Sequence, residues 1–389
     1  MQKELSRDDL IRVAKRENNT KRSFLYVNPL QGKHMPVSPR ETLSLFDQLA
    51  KKAEQRYEGE RVMVIGFAET ATAIGAAIAL RVSNATCFLH TTREDIRPFS
   101  PAFLYFTESH SHAVDQKLAL KGLADYVEAV DRIVFAEDEV TTGNTIEKLI
   151  CRLEEAFPRQ QLRFGILSVM NSMSEERLQE LEKRGVFIDC LCRVPAGYRT
   201  DETERYTYEQ LRRTFFPAPE KEVCTFRLEE GWNARVVEKT DCIREKCEVF
   251  SEQVMKMLKS SLAVPEWDGI SSVLVLGTEE CMYPGLLLGA KIEENRPGVR
   301  VRFHATTRSP LEISRDPAYP LHERIPLDSV YEKGRATFLY NPDRYDLVLV
   351  VTDASDGMEN GRGKDSLTGA LSAYGNERII WINWEYTAG

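Results

Sequence analysis

Residues 134–146, Val-Phe-Ala-Glu-Asp-Glu-Val-Thr-Thr-Gly-Asn-Thr-Ile, are the stretch that decides the fold. A short apolar run ends in two adjacent carboxylates, Glu137 and Asp138. A loop of hydroxyl-bearing residues with one glycine follows, and an apparent helix covers residues 146–156. Carboxylates can accept hydrogen bonds from the two hydroxyls of a ribose, while loop amides at a helix N-terminus can bind a phosphate. The pattern therefore predicts a sugar-phosphate site where a strand ends.

The same stretch has a simpler interpretation, an ordinary parallel strand followed by a helix that threonines cap. A lone Thr-Thr-Gly would favour that simpler interpretation. The full order of strand, acidic pair, small-residue loop and helix start is rarer, so we favour the binding site. Glu139 adds a third carboxylate, which either faces solvent or alters the binding of metal and substrate.

The length and composition predict two globular domains in a reducing compartment. Of the 389 residues, 42% are hydrophobic and 29% are charged, which is typical of folded proteins. No apolar run approaches membrane-spanning length, and the first residues lack a signal-peptide pattern, so we expect no membrane association. The eight cysteines lack zinc-like spacing. Cys190 and Cys192 fit buried thiols, and the cytoplasm is the expected location.

The net charge of −8 argues against a nucleic-acid partner. Residues 1–218 carry 31 Lys and Arg against 32 Asp and Glu, a net of −1, and the remainder carries 21 against 28, a net of −7. Neither half has the basic excess that nucleic-acid binding proteins use to contact phosphates. We therefore expect no nucleic-acid partner.

Apolar runs alternate with helical patterns along the chain, which predicts a doubly wound α/β fold with a parallel sheet. The expected strands cover residues 24–27, 62–65, 86–90, 133–136, 164–169 and 186–192. The expected helices cover residues 7–16, with Ser6 as the N-cap, and 39–55, 72–81, 146–156 and 243–262. Ligands of such folds bind at the carboxyl ends of the strands. Gly66, Arg93 and Glu137 all lie at such ends.

A segment with two prolines, residues 215–220, interrupts this alternation and predicts a domain of residues 1–218 and a domain of residues 219–389. The second half repeats three features of the first in the same order. Residues 273–279 mirror 62–69, residues 303–308 mirror 88–93, and residues 347–357 parallel 133–143. We therefore expect a second α/β domain with the topology of the first, either a degenerate copy of it or an unrelated domain with similar strands.

Three motifs resemble those of a known family. Thr307-Arg308-Ser309-Pro310 resembles the motif that names the TRSP domain, which follows a phosphoribosyltransferase-like domain. Residues 66–75 look like the first loop of that partner domain, and residues 134–146 resemble the phosphoribosyl-pyrophosphate (PRPP) signature of type I phosphoribosyltransferases. The whole chain resembles the two-domain proteins, PRTase_2 followed by TRSP, of bacterial tellurite-resistance or stress-response gene clusters.

The resemblance implies the phosphoribosyltransferase fold and a Mg²⁺-dependent transferase of nucleotide metabolism, which joins a nitrogenous base or similar nucleophile to PRPP and releases pyrophosphate. Glu137 and Asp138 would bind the ribose and hold Mg²⁺ only indirectly, through the substrate. Thr141, the third expected catalytic residue, stands where some relatives carry an aspartate as general base, so base activation would rest with the substrate. The 5′-phosphate loop would consist of Thr141, Thr142, Gly143, Asn144 and Thr145.

The first loop is expected to present backbone N–H groups to pyrophosphate, and a plain strand-to-helix turn is the alternative. Its residues are Gly66, Glu69, Thr70, Ala71 and Thr72. Many relatives carry Lys or Arg in this loop, whereas this chain carries Glu69. Either a metal bridges Glu69 to pyrophosphate, or the positive charge comes from another element.

Arg93 is the expected source of that charge, because a guanidinium can bind a phosphate through two N–H groups. A surface ion pair with Glu94 or Asp95 is the alternative for Arg93.

Three further residues are candidates for contacts with the substrate. His110 and His112 lie where the family has a mobile hood, so they would contact pyrophosphate or else belong to a solvated loop. Lys33, in Gly-Lys-His, would cover the base or pyrophosphate or else lie in an exposed loop.

The second domain contains a candidate site without the Thr-Thr-Gly loop. It would consist of His304, Thr307, Arg308, Asp353 and Asp356, and it is either vestigial or adapted to a different ligand. The rival to the enzyme is a protein that senses PRPP or a nucleotide without turnover. The expected partners are PRPP and an unidentified base, with a homodimer or an intrachain pseudo-dimer permitted, and other stress-operon enzymes as candidate partners.

Overall fold

The computed structural model describes residues 5–19, 22–95, 102–106, 116–209, 216–219, 222–261, 267–354 and 361–386. The chain divides into two compact units, each assembled from separate segments. We call the unit that comprises Leu43–Ala196 and Trp232–Lys246 the N-terminal unit. We call the other the C-terminal unit, although it also contains the first residues of the chain: it comprises Met1–Thr42, Gly197–Gly231 and Cys247–Thr387. The domain boundary predicted at residue 218 stays a prediction. It is a single point in the sequence, whereas each compact unit contains segments from several parts of the chain.

The helices are α1 (Arg7–Leu10), α2 (Pro39–Arg56), α3 (Thr72–Arg81), α4 (Leu123–Ala129), α5 (Asn144–Ala156), α6 (Glu175–Lys183), α7 (Thr240–Ser260), α8 (Tyr283–Asn295) and α9 (Gly361–Ala373). Four of the five predicted helices, α2, α3, α5 and α7, lie close to their predicted positions. Within the described residues, no helix is long and apolar enough to span a membrane.

The strands include all six predicted ones. They are β1 (Arg12–Lys15), β2 (Phe24–Val27), β3 (Val62–Gly66), β4 (Ala85–His90), β5 (Phe103–Tyr105), β6 (Lys117–Ala119), β7 (Arg132–Val140), β8 (Phe164–Asn171), β9 (Phe187–Arg193), β10 (Cys224–Leu228), β11 (Glu238–Lys239), β12 (Ser272–Gly277), β13 (Arg300–Ala305), β14 (Arg324–Asp328), β15 (Ala336–Tyr340), β16 (Leu347–Thr352) and β17 (Ile379–Trp384).

The predicted helix over residues 7–16 is wrong beyond Leu10. Ser6 caps α1 as expected, and its side chain forms a capping box with Asp9. After one turn the chain becomes strand β1, which pairs antiparallel with β2. Ile11 and Val13 are buried in this conformation, and β-branched side chains favour a strand once a partner strand is available.

The N-terminal unit is built on a six-stranded sheet of order β11-β4-β3-β7-β8-β9. Strands β4, β3, β7, β8 and β9 are parallel, and only β11 pairs antiparallel, with β4. Every residue of β3 and β8 is buried, as expected for parallel strands covered on both faces. Strand β3 lies between β4 and β7. Because the three strands are parallel, their carboxyl ends lie at one edge of the sheet.

The C-terminal unit contains a second parallel sheet, of order β10-β17-β16-β12-β13. Its strands β13, β12, β16 and β17 follow each other in space as β4, β3, β7 and β8 do in the N-terminal unit. A two-stranded hairpin precedes the third strand in both units, β5–β6 in one and β14–β15 in the other. The common topology expected from the sequence is confirmed for these elements. The two sheets differ in the fifth strand, which is β9 in one and β10 in the other, and in strand β11, which belongs to the six-stranded sheet alone.

The cysteines form no disulfide among the described residues. Cys192 is buried as predicted, whereas Cys190 is half-buried. Burial raises the pKa of the Cys87 thiol to about 12, so this thiol stays protonated and unreactive at neutral pH.

Helix α3 packs closely on strand β3 through two glycines. A Cβ atom on Gly75 would lie 2.8 Å from the Gly66 Cα atom and 2.9 Å from a ring carbon of Phe88. These distances are too short for carbon atoms, so only glycine permits this approach. The contact fixes the position of the first loop, which connects the two elements.

We expect Gly75→Ala to destabilise the N-terminal unit by about 1–3 kcal/mol, because the methyl group must displace backbone or the Phe88 ring. Chemical denaturation followed by circular dichroism measures this loss. Gly298→Ala is the control, since a Cβ at Gly298 meets no atom within 4 Å. Equal stability of the two variants would contradict the close packing.

Candidate active site

Strand β7 extends through the acidic residues, four positions further than predicted. Glu137, Asp138 and Glu139 are half-buried there, beside the fully buried strand β8. The pKa of Glu137 lies well above its usual range, first because of burial and then because of the adjacent Asp138 carboxylate, which is close enough for a hydrogen bond. The unliganded site therefore disfavours two full negative charges and favours a ligand that donates hydrogen bonds.

The predicted phosphate loop ends at the N-terminus of α5. Gly143 is the N-cap residue, with φ +71°, and it supplies no side-chain hydrogen bond to the helix. A Cβ at Gly143 would lie 3.0 Å from the Met173 sulfur, so backbone conformation and packing both require glycine. The first amides of a 13-residue helix thus lack a cap from Gly143, which is the arrangement that binds phosphate.

Arg177 supports this loop, and sequence reasoning did not find it. Its Nε donates to the Thr142 carbonyl oxygen (3.1 Å), and its guanidinium also pairs with Glu147 in the first turn of α5. Ser174 caps α6 and so fixes the helix that carries Arg177. Its local pair with Glu180 looks like an ordinary helix ion pair, and its partners in the loop, Thr142 and Glu147, lie 30 or more residues away in sequence.

The first loop follows β3 and leads into α3. The Ala68–Glu69 peptide bond is cis. The Ala68 N–H donates to Thr91 Oγ1 (2.9 Å), and the Ala68 carbonyl accepts from Gln116 Nε2 (3.1 Å). Ala71, the N-cap residue of α3, provides no side-chain cap. Residues of other segments, Thr91 and Gln116, therefore hold the loop in place. Like α5, helix α3 begins at this sheet edge with an N-cap residue that supplies no side-chain cap.

Arg93 lies at the end of β4, beside the first loop. Thr91 N donates to the Gly66 carbonyl (2.9 Å), and Thr92 exchanges two backbone hydrogen bonds with Lys117 (2.8 and 3.0 Å). Arg93 is half-buried. The alternative for Arg93 is a surface ion pair with Glu94 or Asp95. Of these two carboxylates, Asp95 forms an ion pair with Lys117 Nζ (2.8 Å).

Lys117 is a second cation that the sequence did not reveal. Its side chain is only 8% exposed, although a charged side chain is seldom that buried without a partner. It lies on β6, and its Nζ is 4.6 Å from the centre of the Phe103 ring. Its register with Thr92 brings it to the strand end that carries Arg93.

The remaining predicted residues do not all meet at this edge. His110, His112 and Asp356 lie outside the described residues. Lys33 belongs to the C-terminal unit, where it is fully buried and donates to the carbonyl oxygens of Glu279 and Thr306. The exposed loop that was the alternative for Lys33 is therefore wrong, and its predicted contact with substrate stays a prediction.

His304 is also buried, in the C-terminal unit. Its ring nitrogens contact the carbonyl oxygens of Gly32 (3.0 Å) and Tyr340 (2.7 Å). Burial lowers its pKa below the usual range. These contacts connect the segment that contains Gly32 to β13 and β15, which is a structural role.

Comparison with known families agrees with this arrangement. Residues 10–196 match the family model described as phosphoribosyl transferase, PRTase_2, and residues 242–367 match the model described as TRSP domain C terminus to PRTase_2. The chain carries a PRTase_2 domain followed by a TRSP domain. The acidic pair, the first loop and Arg93 all fall within the PRTase_2 match, whereas Arg308 and Asp353 fall within the TRSP match.

Solved phosphoribosyltransferase structures resemble part of the chain. Adenine phosphoribosyltransferase from Rhodothermus marinus is 16% identical, with 48% of this chain and 96% of that chain covered and a TM-score of 0.34. For the enzyme from Giardia lamblia complexed with 9-deazaadenine the values are 13%, 48%, 94% and 0.31. For hypoxanthine phosphoribosyltransferase from Staphylococcus aureus they are 11%, 42%, 78% and 0.25. A search of curated proteins gave no match, and these distant likenesses carry no argument about activity.

We expect Glu137→Gln to stabilise the unliganded PRTase_2 domain at neutral and alkaline pH, raising Tm by about 2 °C or more. The folded-state pKa of Glu137 lies above its unfolded value near 4.5. The contribution of Glu137 to the free energy of unfolding is therefore fully present below pH 4.5, and it is lost as the pH rises through the higher folded-state pKa. The Tm advantage of the variant should grow between pH 5 and pH 8 in scanning calorimetry.

Glu176→Gln is the control for this experiment, because Glu176 is exposed and its pKa is lowered by hydrogen bonds at the start of α6. It should show no advantage that grows with pH. A Glu137→Gln variant with a pH-independent Tm difference would contradict the electrostatic account.

We expect Arg177→Ala to loosen the phosphate loop without unfolding the domain. Losing a charged hydrogen bond and an ion pair should accelerate hydrogen exchange of amides 142–147 roughly fivefold, equivalent to about 1 kcal/mol. Arg184→Ala is the matched control, since Arg184 also pairs with Glu147 (2.5 Å) but has Glu154 (3.8 Å) as its second partner, where Arg177 has the Thr142 carbonyl. Equal exchange rates in the two variants would remove Arg177 from its supporting role.

Proposed function

We propose that the PRTase_2 domain is a Mg²⁺-dependent phosphoribosyltransferase, which joins a nitrogenous base or similar nucleophile to PRPP and releases pyrophosphate. One observation carries the proposal. Groups suited to the pyrophosphate, the ribose and the 5′-phosphate of PRPP lie at the carboxyl ends of the neighbouring parallel strands β4, β3 and β7, at one sheet edge. We further propose that it acts in the cytoplasm, within a tellurite-resistance or stress-response system.

The ribose phosphate would bind at the end of β7. Glu137 and Asp138 would accept hydrogen bonds from the ribose hydroxyls, which would relieve the unfavourable proximity of the two carboxyl groups. The 5′-phosphate would bind the amides of residues 141–145 and the start of α5. Gly143 allows the phosphate to approach the backbone, and Arg177 keeps the loop in place.

The pyrophosphate would bind at the end of β3. Amides of residues 69–72 at the start of α3 and the Arg93 guanidinium are the proposed donors. Transfer breaks the C1′–O bond to pyrophosphate and forms a bond from C1′ to the nucleophilic nitrogen, which loses its proton. Thr141 is too weak a base to take that proton, so a group of the acceptor itself or solvent receives it.

The residues of this site fit Mg²⁺ only as an ion held largely by the substrate. Within the described residues, no group of three or more His, Cys, Asp or Glu side chains is arranged to hold a metal. Mg²⁺ keeps several water ligands and is bound largely by substrate oxygens, so Glu137 and Asp138 would hold it only indirectly, through the substrate. When bound, the ion would neutralise charge on pyrophosphate.

One feature favours the alternative proposal, a protein that binds PRPP or a nucleotide without turnover. Glu69 lies in the first loop, at the proposed pyrophosphate site. Its negative charge opposes the negative charge that develops on pyrophosphate when the C1′–O bond breaks. A sensor needs no stabilisation of the leaving group and tolerates this residue better than an enzyme does.

An assay of pyrophosphate release separates the two proposals. Purified protein is mixed with PRPP, Mg²⁺ and a panel of purine and pyrimidine bases, and pyrophosphate is measured with a coupled enzyme. Release that requires one base supports the transferase. Binding of PRPP without release supports the sensor, and absence of binding contradicts both.

We expect Asp138→Asn to weaken PRPP binding about tenfold or more, because a charged acceptor of a ribose hydrogen bond contributes about 1.5–3 kcal/mol. Isothermal calorimetry in the presence of Mg²⁺ measures the change. Asp131→Asn is the matched control, since Asp131 precedes β7 at the opposite end of the strand and pairs with Arg61 (3.1 Å). Unchanged affinity in Asp138→Asn would remove Asp138 from the ribose site.

A further inference from the structure

The strand ends of the TRSP domain reproduce the hydrogen bonds of the first loop. Thr306 N donates to the Gly277 carbonyl (3.1 Å), and Thr306 Oγ1 accepts from Glu279 N (3.0 Å), as Thr91 does in the other unit. Thr307 exchanges two backbone hydrogen bonds with Phe338 of β15 (2.9 and 2.7 Å), as Thr92 does with the hairpin strand β6. The Thr-Thr-Arg sequences of both units therefore occupy equivalent positions.

The sheet registers extend this equivalence to the ribose site. Gly66 pairs with Ala136 on β7, and Gly277 pairs with Val351 on β16. The residues that follow each partner are therefore equivalent, so Thr352 replaces Glu137 and Asp353 replaces Asp138. One carboxylate of the acidic pair is absent from the TRSP domain.

Glu279 is the residue that distinguishes the TRSP loop. It stands at the position of Ala68, and its φ of +47° lies in a region that non-glycine residues rarely occupy. Backbone freedom alone would favour glycine at this position. The presence of glutamate is therefore best explained by what its side chain contacts.

The Glu279 carboxylate is fully buried and binds three donors. Arg308 Nε lies at 2.8 Å from Oε2, Arg335 Nη2 at 2.9 Å from Oε2, and Ser329 Oγ at 2.5 Å from Oε1. Glu280, also buried, contacts Arg308 Nη2 (3.2 Å). Two guanidiniums, each only about one-eighth exposed, are thus balanced by two carboxylates, as buried charges require.

The position of the sugar is filled as well. The Tyr331 hydroxyl donates to Asp353 Oδ1 (2.6 Å) and contacts Thr278 Oγ1 (2.8 Å), which donates to Thr352 Oγ1 (2.9 Å). A hydroxyl on a carboxylate is the contact that a ribose would make with Asp138. The segment equivalent to the phosphate loop lies outside the described residues.

We infer that the TRSP domain contains a closed anion site of the phosphoribosyltransferase type, whose ligand is the protein's own Glu279 carboxylate. Glu279 occupies the place of a phosphate group on Arg308 and Arg335, and Tyr331 occupies the place of a sugar hydroxyl. In the intact domain, Arg308 and Arg335 are therefore not available to PRPP or pyrophosphate. Removing the carboxylate opens a site for small oxyanions. The inference stands independently of the activity proposed for the PRTase_2 domain.

Chemical rescue tests the inference directly. Glu279→Ala leaves Arg308 and Arg335 without their shared carboxylate, so the variant should unfold at a lower temperature than wild type in chloride. Inorganic phosphate or acetate at about 20 mM, at constant ionic strength, should raise its Tm by about 4 °C more than that of wild type. Adding Arg308→Met to the variant should abolish the extra increase.

Glu332→Ala is the matched control, because Glu332 pairs with the same Arg335 (2.7 Å) but is 55% exposed. Its response to phosphate and acetate should equal that of wild type, which also accounts for any anion bound elsewhere. If Glu279→Ala does not fold in chloride, folding restored by phosphate supports the inference, and Glu279→Gln provides a folded test with a smaller anion response. Glu279 variants that respond to the anions no more than wild type would overturn it.

Discussion

The adjacency of the carboxyl ends of β4, β3 and β7 is the constraint on which the candidate site depends. Parallel strands end at the same edge of a sheet, so segments separated by tens of residues become neighbours there. The contact between Gly66 and Gly75 brings α3 down onto β3 and fixes the first loop relative to the phosphate loop. Without that order, the acidic pair and Arg93 would be unrelated surface features.

Charge distinguishes the two equivalent strand-end sites. In the PRTase_2 domain, carboxylates crowd the end of β7, while the N-cap residues of α3 and α5 supply no side-chain cap, so the site is suited to a ligand with hydroxyls and phosphates. In the TRSP domain, the arginines are already matched by Glu279 and Glu280. One topology thus supports an open site and a closed one, and the difference lies in a few side chains at the same strand ends.

The sequence predicted the elements whose signals are local. The buried run before Gly66, the helix after Thr72 and the small-residue loop around Gly143 are specified by neighbouring residues, so their positions were found nearly to the residue. The prediction that the first helix continues past Leu10 was wrong, because pairing of residues 12–15 with β2 outweighed the local helical pattern. The burial of Lys33 could not be predicted, since it depends on the carbonyl oxygens of Glu279 and Thr306, which lie 246 and 273 residues away.

The residues that sequence reasoning missed share one physical property. Arg177, Lys117 and Glu279 act through partners that are distant in sequence, and each resembles an ordinary surface charge when considered alone. Thr306 and Arg308 were recognised as a repeat of Thr91 and Arg93, but the carboxylate that closes their site was not. Long-range ion pairs of this kind leave no spacing pattern that a single sequence can display.

Hydrogen exchange with and without PRPP and Mg²⁺ tests the central claim most directly, because it locates the ligand on the chain. Binding at the proposed edge predicts slower exchange for amides 141–147 and 66–72, with amides 277–282 of the TRSP domain unchanged. Protection confined to 277–282, or no protection in either loop of the PRTase_2 domain, would contradict the account.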